Sequence, residues 1–215
     1  MSDHPTKDVK KQPLVQFGKQ LAMRPHGRKV QQALDAALRE LPSGGVLVVD
    51  FNGVEMMDYS FADEALGTLF SRMSAKEYPD RYLILAVPDD EMGEALVENI
   101  EAALNRREVA ALVLPEDSVH AVTTLPANSG EPDANSRQGM EWRVIGTLPA
   151  HLIDTLRAVM DKGEITVREL ADALKLDSAT ACNNRIAKLY QLHLVRREAA
   201  IVPEGGRLYC YSAVV

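Results

Sequence analysis

The sequence predicts a mixed α/β protein: a small, mostly parallel sheet layered with helices, then a unit of three helices and a β-wing. Three observations lead there. Between residues 28 and 114, short β-branched runs alternate with stretches of helical periodicity. Residues 115–140 (PEDSVHAVTTLPANSGEPDANSRQGM) have no apolar period and are rich in Pro, Ser, Asn, Asp and Gly, which marks a flexible linker. Beyond them, three helical segments precede two strand-like runs, the order of a winged helix. The chain therefore divides into an α/β unit (1–114), a linker (115–140) and a winged unit (141–215). A packed domain rarely holds an unstructured loop of that length.

The elements follow in order. Residues 14–18 suit an edge strand. Residues 28–41 carry a helical stripe of Val30, Leu34, Ala37, Leu38 and Leu41, and Pro42-Ser43-Gly44-Gly45 ends it. Residues 46–51 (VLVVDF) read as a buried strand. Helical spacing returns over 61–73 through Phe61, Ala65, Leu66, Leu69, Phe70 and Met73. Residues 82–87 (YLILAV) and 109–114 (VAALVL) are two further buried strands around a helix at 91–107. In the second unit a helix spans 148–161 and stops at Lys162-Gly163. Thr166, three residues ahead of Glu169, forms a capping box for the next helix. Asp177 caps the third, and strands at 194–200 and 207–214 flank a turn at Gly205-Gly206.

Composition narrows the function. The chain has 215 residues, 46% apolar and 26% charged, with net charge −7. It can bury a core, and a basic surface over the whole molecule is excluded. No apolar run approaches the roughly 18 residues of a membrane span. The polar N-terminus has no signal-peptide core, so the expected location is cytoplasmic. Charge is divided unevenly: residues 1–141 hold 14 basic and 23 acidic residues, and residues 142–215 hold 10 and 8. Neither a metal nor a cofactor is expected, because the five histidines are scattered and Cys182 and Cys210 form no CxxC pair. Cys182 and Cys210 read as small buried residues or, alternatively, a thiol switch.

The second unit, through ITVRELADALK (165–175), DSATACNNRIAKLYQLHL (177–194) and Val195-Arg196-Arg197-Glu198, resembles the winged helix-turn-helix domains of MarR-like bacterial transcription regulators. That resemblance implies double-stranded DNA as a partner, with the third helix in the major groove. On this helix Ala179, Cys182, Ile186 and Leu189 turn inward. Ser178, Thr180, Asn184 and Arg185 then face base edges, where Asn suits adenine and Arg suits guanine. Lys188, Arg196, Arg197 and Arg207 are placed for phosphates. A homodimer on a near-palindromic site follows from the same resemblance. The alternative use of such a unit is protein contact.

The first unit, through GGVLVVDFNGVEMMDYSFADEALGTL (44–69), resembles the STAS-like family, relatives of anti-sigma-factor antagonists. In those antagonists a serine in Asp-Ser-Ser-Gly is phosphorylated by a partner kinase. Here the run is Asp58-Tyr59-Ser60-Phe61, with Tyr59 at the acceptor position and Ser60 in place of the second serine. The resemblance makes Asp58, Tyr59 and Ser60 a phosphosite or partner surface, with a kinase-like ATPase as the partner. The structural alternative is that Ser60 caps the helix and Asp63 and Glu64 favour its first turn. The carboxylates at Asp89, Asp90 and Glu91 likewise suit a helix start.

Three functions result. The leading one is a DNA-binding transcriptional regulator whose STAS-like unit receives a partner or signal. The second is a partner-switching adaptor without nucleic-acid binding. An enzyme ranks last, because no nucleophile elbow or phosphate-cradling loop is present; the chain is expected not to be one.

Overall fold

The apolar runs of the sequence line up as one sheet. A computed structural model describes residues 8–116, 118, 141–176, 178–201 and 207–214. Strands β1 (Val9–Pro13), β3 (Val46–Asp50), β5 (Tyr82–Val87) and β6 (Ala110–Pro115) are parallel. Strand β7 (Arg143–Gly146) pairs antiparallel with β6, giving the order β1-β3-β5-β6-β7. A separate ribbon pairs β2 (Gln20–Leu21) with β4 (Met56–Met57).

Helices α1 (Arg24–Glu40), α2 (Tyr59–Ala62), α3 (Thr68–Ser74) and α4 (Glu91–Arg106) cover one face of this sheet. Helix α1 buries Val30, Leu34, Ala37 and Leu38 of the expected stripe, with Gln31 beside them and Leu41 buried at its C-cap. Asp90 caps α4 by accepting the Gly93 N–H at 2.8 Å. A Cβ at position 93 would lie 1.9 Å from the Pro88 carbonyl oxygen, so the capping turn admits only glycine there. A π-helical turn, Asp63–Gly67, joins α2 to α3.

The second unit contains α5 (Ala150–Lys162), β8 (Glu164–Thr166), α6 (Val167–Ala173), α7 (Ala179–Gln191), β9 (Val195–Ile201) and β10 (Arg207–Ala213). Its strands form an antiparallel sheet in the order β8-β10-β9, and its three helices precede the β9–β10 pair in the order expected for this unit. Both halves of the Thr166–Glu169 capping box are present. Ser178 accepts the Ala181 N–H and caps α7. Asp177, expected in that role, lies outside the described residues, as do the linker positions 117 and 119–140 and the wing tip 202–206.

The two units share a core. Along β3, β5 and β6, alternate residues point to opposite faces. Leu47, Val49, Leu83, Leu85, Val87, Ala111 and Val113 meet α1–α4. Val46, Val48, Tyr82, Ile84, Ala86, Ala110, Leu112 and Leu114 join Leu152, Leu156, Val159, Leu192, Leu194 and Val195 of the second unit. Each strand reads as an unbroken apolar run because both of its faces are covered. Arg143–Gly146, grouped with the second unit in the sequence reading, is the antiparallel edge strand of the first unit's sheet.

The expected edge strand at 14–18 is a 3-10 turn, Leu14–Phe17, and the edge lies earlier, at β1. The reason is that an edge strand tolerates polar residues. Val9 packs on the core, while Lys11 pairs with Asp50 at 2.9 Å. The turn then tucks Leu14 into the interior.

Two outcomes follow. Residues 1–116 expressed alone should aggregate and bind a hydrophobic dye, since the sheet loses its second cover; a monomeric, dye-silent fragment would contradict the shared core. Leu156→Ala, at a fully buried site, should cost about 2–5 kcal/mol in urea denaturation.

Candidate functional site

Two surfaces carry the candidate residues. The first is the exposed side of α7 and the strand after it. Cys182, Ile186 and Leu189 face inward, as their spacing requires. Ala179, expected inward, is exposed in the first turn. Ser178, Thr180, Asn184 and Lys188 are exposed and Arg185 is partly so. Among the described residues, no carboxylate forms a salt bridge with Arg185, Lys188 or Arg197. Five arginines of the first unit behave otherwise. Arg24 and Arg107 pair with Asp63, Arg28 with Glu64, and Arg39 and Arg72 with Asp35.

Arg197 is exposed on β9, with its guanidinium 4.3 Å from the Tyr190 ring centroid and 4.7 Å from that of Tyr209. Arg207 begins β10, opposite Ile201. Arg196 corrects the sequence reading. It is 5% exposed and cannot reach a phosphate. Its Nη1 donates to the Gly44 carbonyl at 2.7 Å, Nη2 donates to the Val214 carbonyl, and the guanidinium lies over the Tyr82 ring. Strand alternation explains the split: Arg197 faces solvent, so its neighbour Arg196 faces the α/β unit.

Arg196 belongs to a clasp that spacing did not reveal. The Tyr190 hydroxyl donates to Asp80 at 2.6 Å, and Gln191 Nε2 donates to the Ser74 carbonyl. His193, 9% exposed, sets Nδ1 2.6 Å from the Arg81 carbonyl oxygen and Nε2 2.9 Å from that of Met73. Burial pushes the imidazole below its ordinary pKa, against the pull of those carbonyls. The clasp seats the winged unit by the end of α7 and the start of β9. Among the described residues, nothing of the acidic first unit covers the exposed side of α7.

The second surface surrounds Asp58, Tyr59 and Ser60. Asp58 caps the helix, accepting the Phe61 N–H at 2.7 Å and the Met23 N–H at 2.9 Å. The expected cap, Ser60, is the second helical residue, because α2 begins at Tyr59. Asp63 and Glu64 consequently lie a turn inside the helix, in the π turn, rather than at its start. Burial pushes the Asp63 carboxyl up, but hydrogen bonds and charge from Arg107 and Arg24 outweigh it and hold its pKa below the ordinary value. The Tyr59 hydroxyl accepts from Arg106 at 3.3 Å. Beside Asp58, Met23 and Met56 are exposed by 66% and 42%, which gives this lip an apolar rim.

Other candidates resolve simply. Cys182 is buried, donates to the Val167 carbonyl, and has its thiol pKa raised by burial. Burial and Glu164 also raise that of Cys210. Neither is activated as a nucleophile. Trp142 lines a cleft of about 660 Å³ between the ends of β5 and β6 and helix α5. Among the described residues, no group of three or more His, Cys, Asp or Glu could hold a metal ion, and no helix is long and apolar enough to cross a membrane.

The first unit has a mixed α/β fold with a mostly parallel sheet, and part of it is similar to a known family. Residues 26–81 match the family model described as a STAS-like domain of unknown function (DUF4325), a stretch running from α1 to the loop before β5. No curated protein matches the chain in sequence. A solved structure, the Aeropyrum pernix ORC1 protein in complex with DNA, is 13% identical over 97% of this chain and 75% of its own. Its TM-score is 0.29, too low for the likeness to carry an argument.

Arg196→Ala should lower stability and leave the salt dependence of any DNA binding unchanged; a flattened salt dependence would return Arg196 to the surface. Asp63→Asn should destabilise by about 1–3 kcal/mol at neutral pH, since it weakens charge-assisted hydrogen bonds to two arginines that are themselves partly exposed. A carboxyl held below its ordinary value contributes stability above the unfolded pKa, about 3.9, and loses it as pH falls through the lower folded value. The gap between wild type and Asp63→Asn in urea melts should accordingly close toward acid pH.

Proposed function

We propose that the protein is a DNA-binding transcriptional regulator in which the STAS-like unit receives a protein partner and the winged unit binds duplex DNA. One observation carries this reading. The outer side of α7, with Ser178, Thr180, Asn184, Arg185 and Lys188, stays open while the opposite side of the unit is seated on the sheet. Its cations, unlike Arg24, Arg28, Arg39, Arg72 and Arg107 of the first unit, are not consumed by carboxylates among the described residues. Exposed cations on a helix of this fold suit the phosphate backbone, and exposed Asn and Arg suit base edges. Likeness to MarR-like regulators is part of the proposal, as is a dimer on a near-palindromic site.

The lip at Asp58, Tyr59 and Ser60 is assigned to the partner. Methionine side chains adapt to varied apolar surfaces, and Met23 and Met56 border this lip. STAS-like domains are interaction modules, which supports the same role.

The test uses the full chain, because the units share a core. Selection from random duplexes at two salt concentrations should enrich a near-palindromic motif, with affinity falling steeply as salt rises. Arg185→Ala should lose about 1–3 kcal/mol and relax base preference. Lys188→Ala should weaken all sequences alike and reduce the salt slope by about 1. No enrichment and no salt dependence would favour the adaptor without nucleic-acid binding.

A further inference from the structure

Tyr190 is the side chain where the two surfaces of the winged unit meet. It stands in the last turn of α7. Its hydroxyl reaches the α/β unit, donating to Asp80 at 2.6 Å. The Arg197 guanidinium lies over its ring, 4.3 Å from the centroid, and also acts on its hydroxyl. Tyr209 closes the far side at 4.7 Å. The register explains the sandwich: Arg197 lies opposite Tyr211, so Tyr209 is its diagonal neighbour on the same face of the ribbon. Arg197 is exposed, yet two rings restrict where its charge can go.

Asp80 is itself held firmly. It adopts φ 53°, and its carbonyl accepts the Gly44 N–H at 2.6 Å in the turn before β3. That turn is also the one Arg196 grips, through the Gly44 carbonyl. A continuous set of contacts thus runs from the start of the central sheet through Asp80 and Tyr190 to an exposed cation.

We propose that Tyr190 is a positioning residue for a phosphate contact made by Arg197, and that the Asp80–Tyr190 bond is where the α/β unit acts on DNA affinity. This rests on the DNA-binding reading above. With Asp80 holding the hydroxyl, the ring backs the guanidinium and presents it in one place. Where the Asp80 bond is lost, the ring loses its anchor and Arg197 loses its backing. Affinity then falls for all DNA sequences alike, since a phosphate contact carries no base preference.

The experiment titrates the full chain with a nonspecific duplex by fluorescence anisotropy across a salt series. Arg197→Ala should reduce the slope of log K against log salt by about 1. Tyr190→Ala should reduce it by a similar amount, and the double variant should lose nothing further, since non-additivity marks residues acting together. Tyr190→Phe keeps the ring and the packing but not the hydroxyl. It should weaken binding several-fold, and Asp80→Asn should add little to it. A general loss of fold would lower active protein without changing the slope, so the slope separates positioning from mere stability. Additive losses, or a full slope in Tyr190→Ala beside a reduced one in Arg197→Ala, would overturn the proposal. Wild-type binding without salt dependence would remove the DNA reading and this proposal with it.

Discussion

The whole structure depends on a sheet whose central strands have two apolar faces. Side chains alternate on β3, β5 and β6, and the residues of both faces are buried. Helices α1–α4 can cover only one of them. The other, with Val46, Val48, Ile84, Leu112 and Leu114, would face water without a second layer. Burying such side chains is worth about 1.5–3 kcal/mol each. The winged unit supplies that layer through α5, the end of α7 and the start of β9. The sheet is therefore the middle of a three-layer protein.

Apolar burial is non-directional and does not choose an orientation. The polar clasp does. Tyr190, Gln191, His193 and Arg196 each bond to the α/β unit, and three of the four bond to its backbone carbonyls. A rotation of the winged unit would strand these groups in a dry interface, where an unmade hydrogen bond costs about 1–3 kcal/mol. The clasp thus fixes which side of the second unit faces out. That side bears the open face of α7.

The charges follow the same division. In the first unit, arginines hold the π turn and its neighbours in place, and Asp63 is gripped from two sides by Arg24 and Arg107. Those cations are spent on the fold. The cations of α7 and β9 that face solvent are not, apart from the aromatic support of Arg197. Net charge alone hides this, because the chain is acidic as a whole while one local surface is open and basic.

Much of the architecture was legible because it is local. Buried strands, helical stripes, the Thr166–Glu169 box and the strand pair of the wing each depend on residues near one another in sequence. The likeness of residues 26–81 to a STAS-like family model was legible for the same reason, since it lies in one continuous stretch. What escaped was set between distant segments. Arg196 and Arg197 are adjacent and chemically alike, so nothing in the sequence says which faces the α/β unit; only the second layer decides it. Ser60 and Asp58 are both good caps, and the Met23 N–H, which arrives from another element, joins Asp58. The polar strand β1 carries no apolar run, and it is recognisable only beside β3. The sequence by itself determined the elements, their order and the chemistry available on α7. Tertiary structure decided which of those side chains remain at the surface, because burial belongs to pairs of surfaces rather than to either one alone.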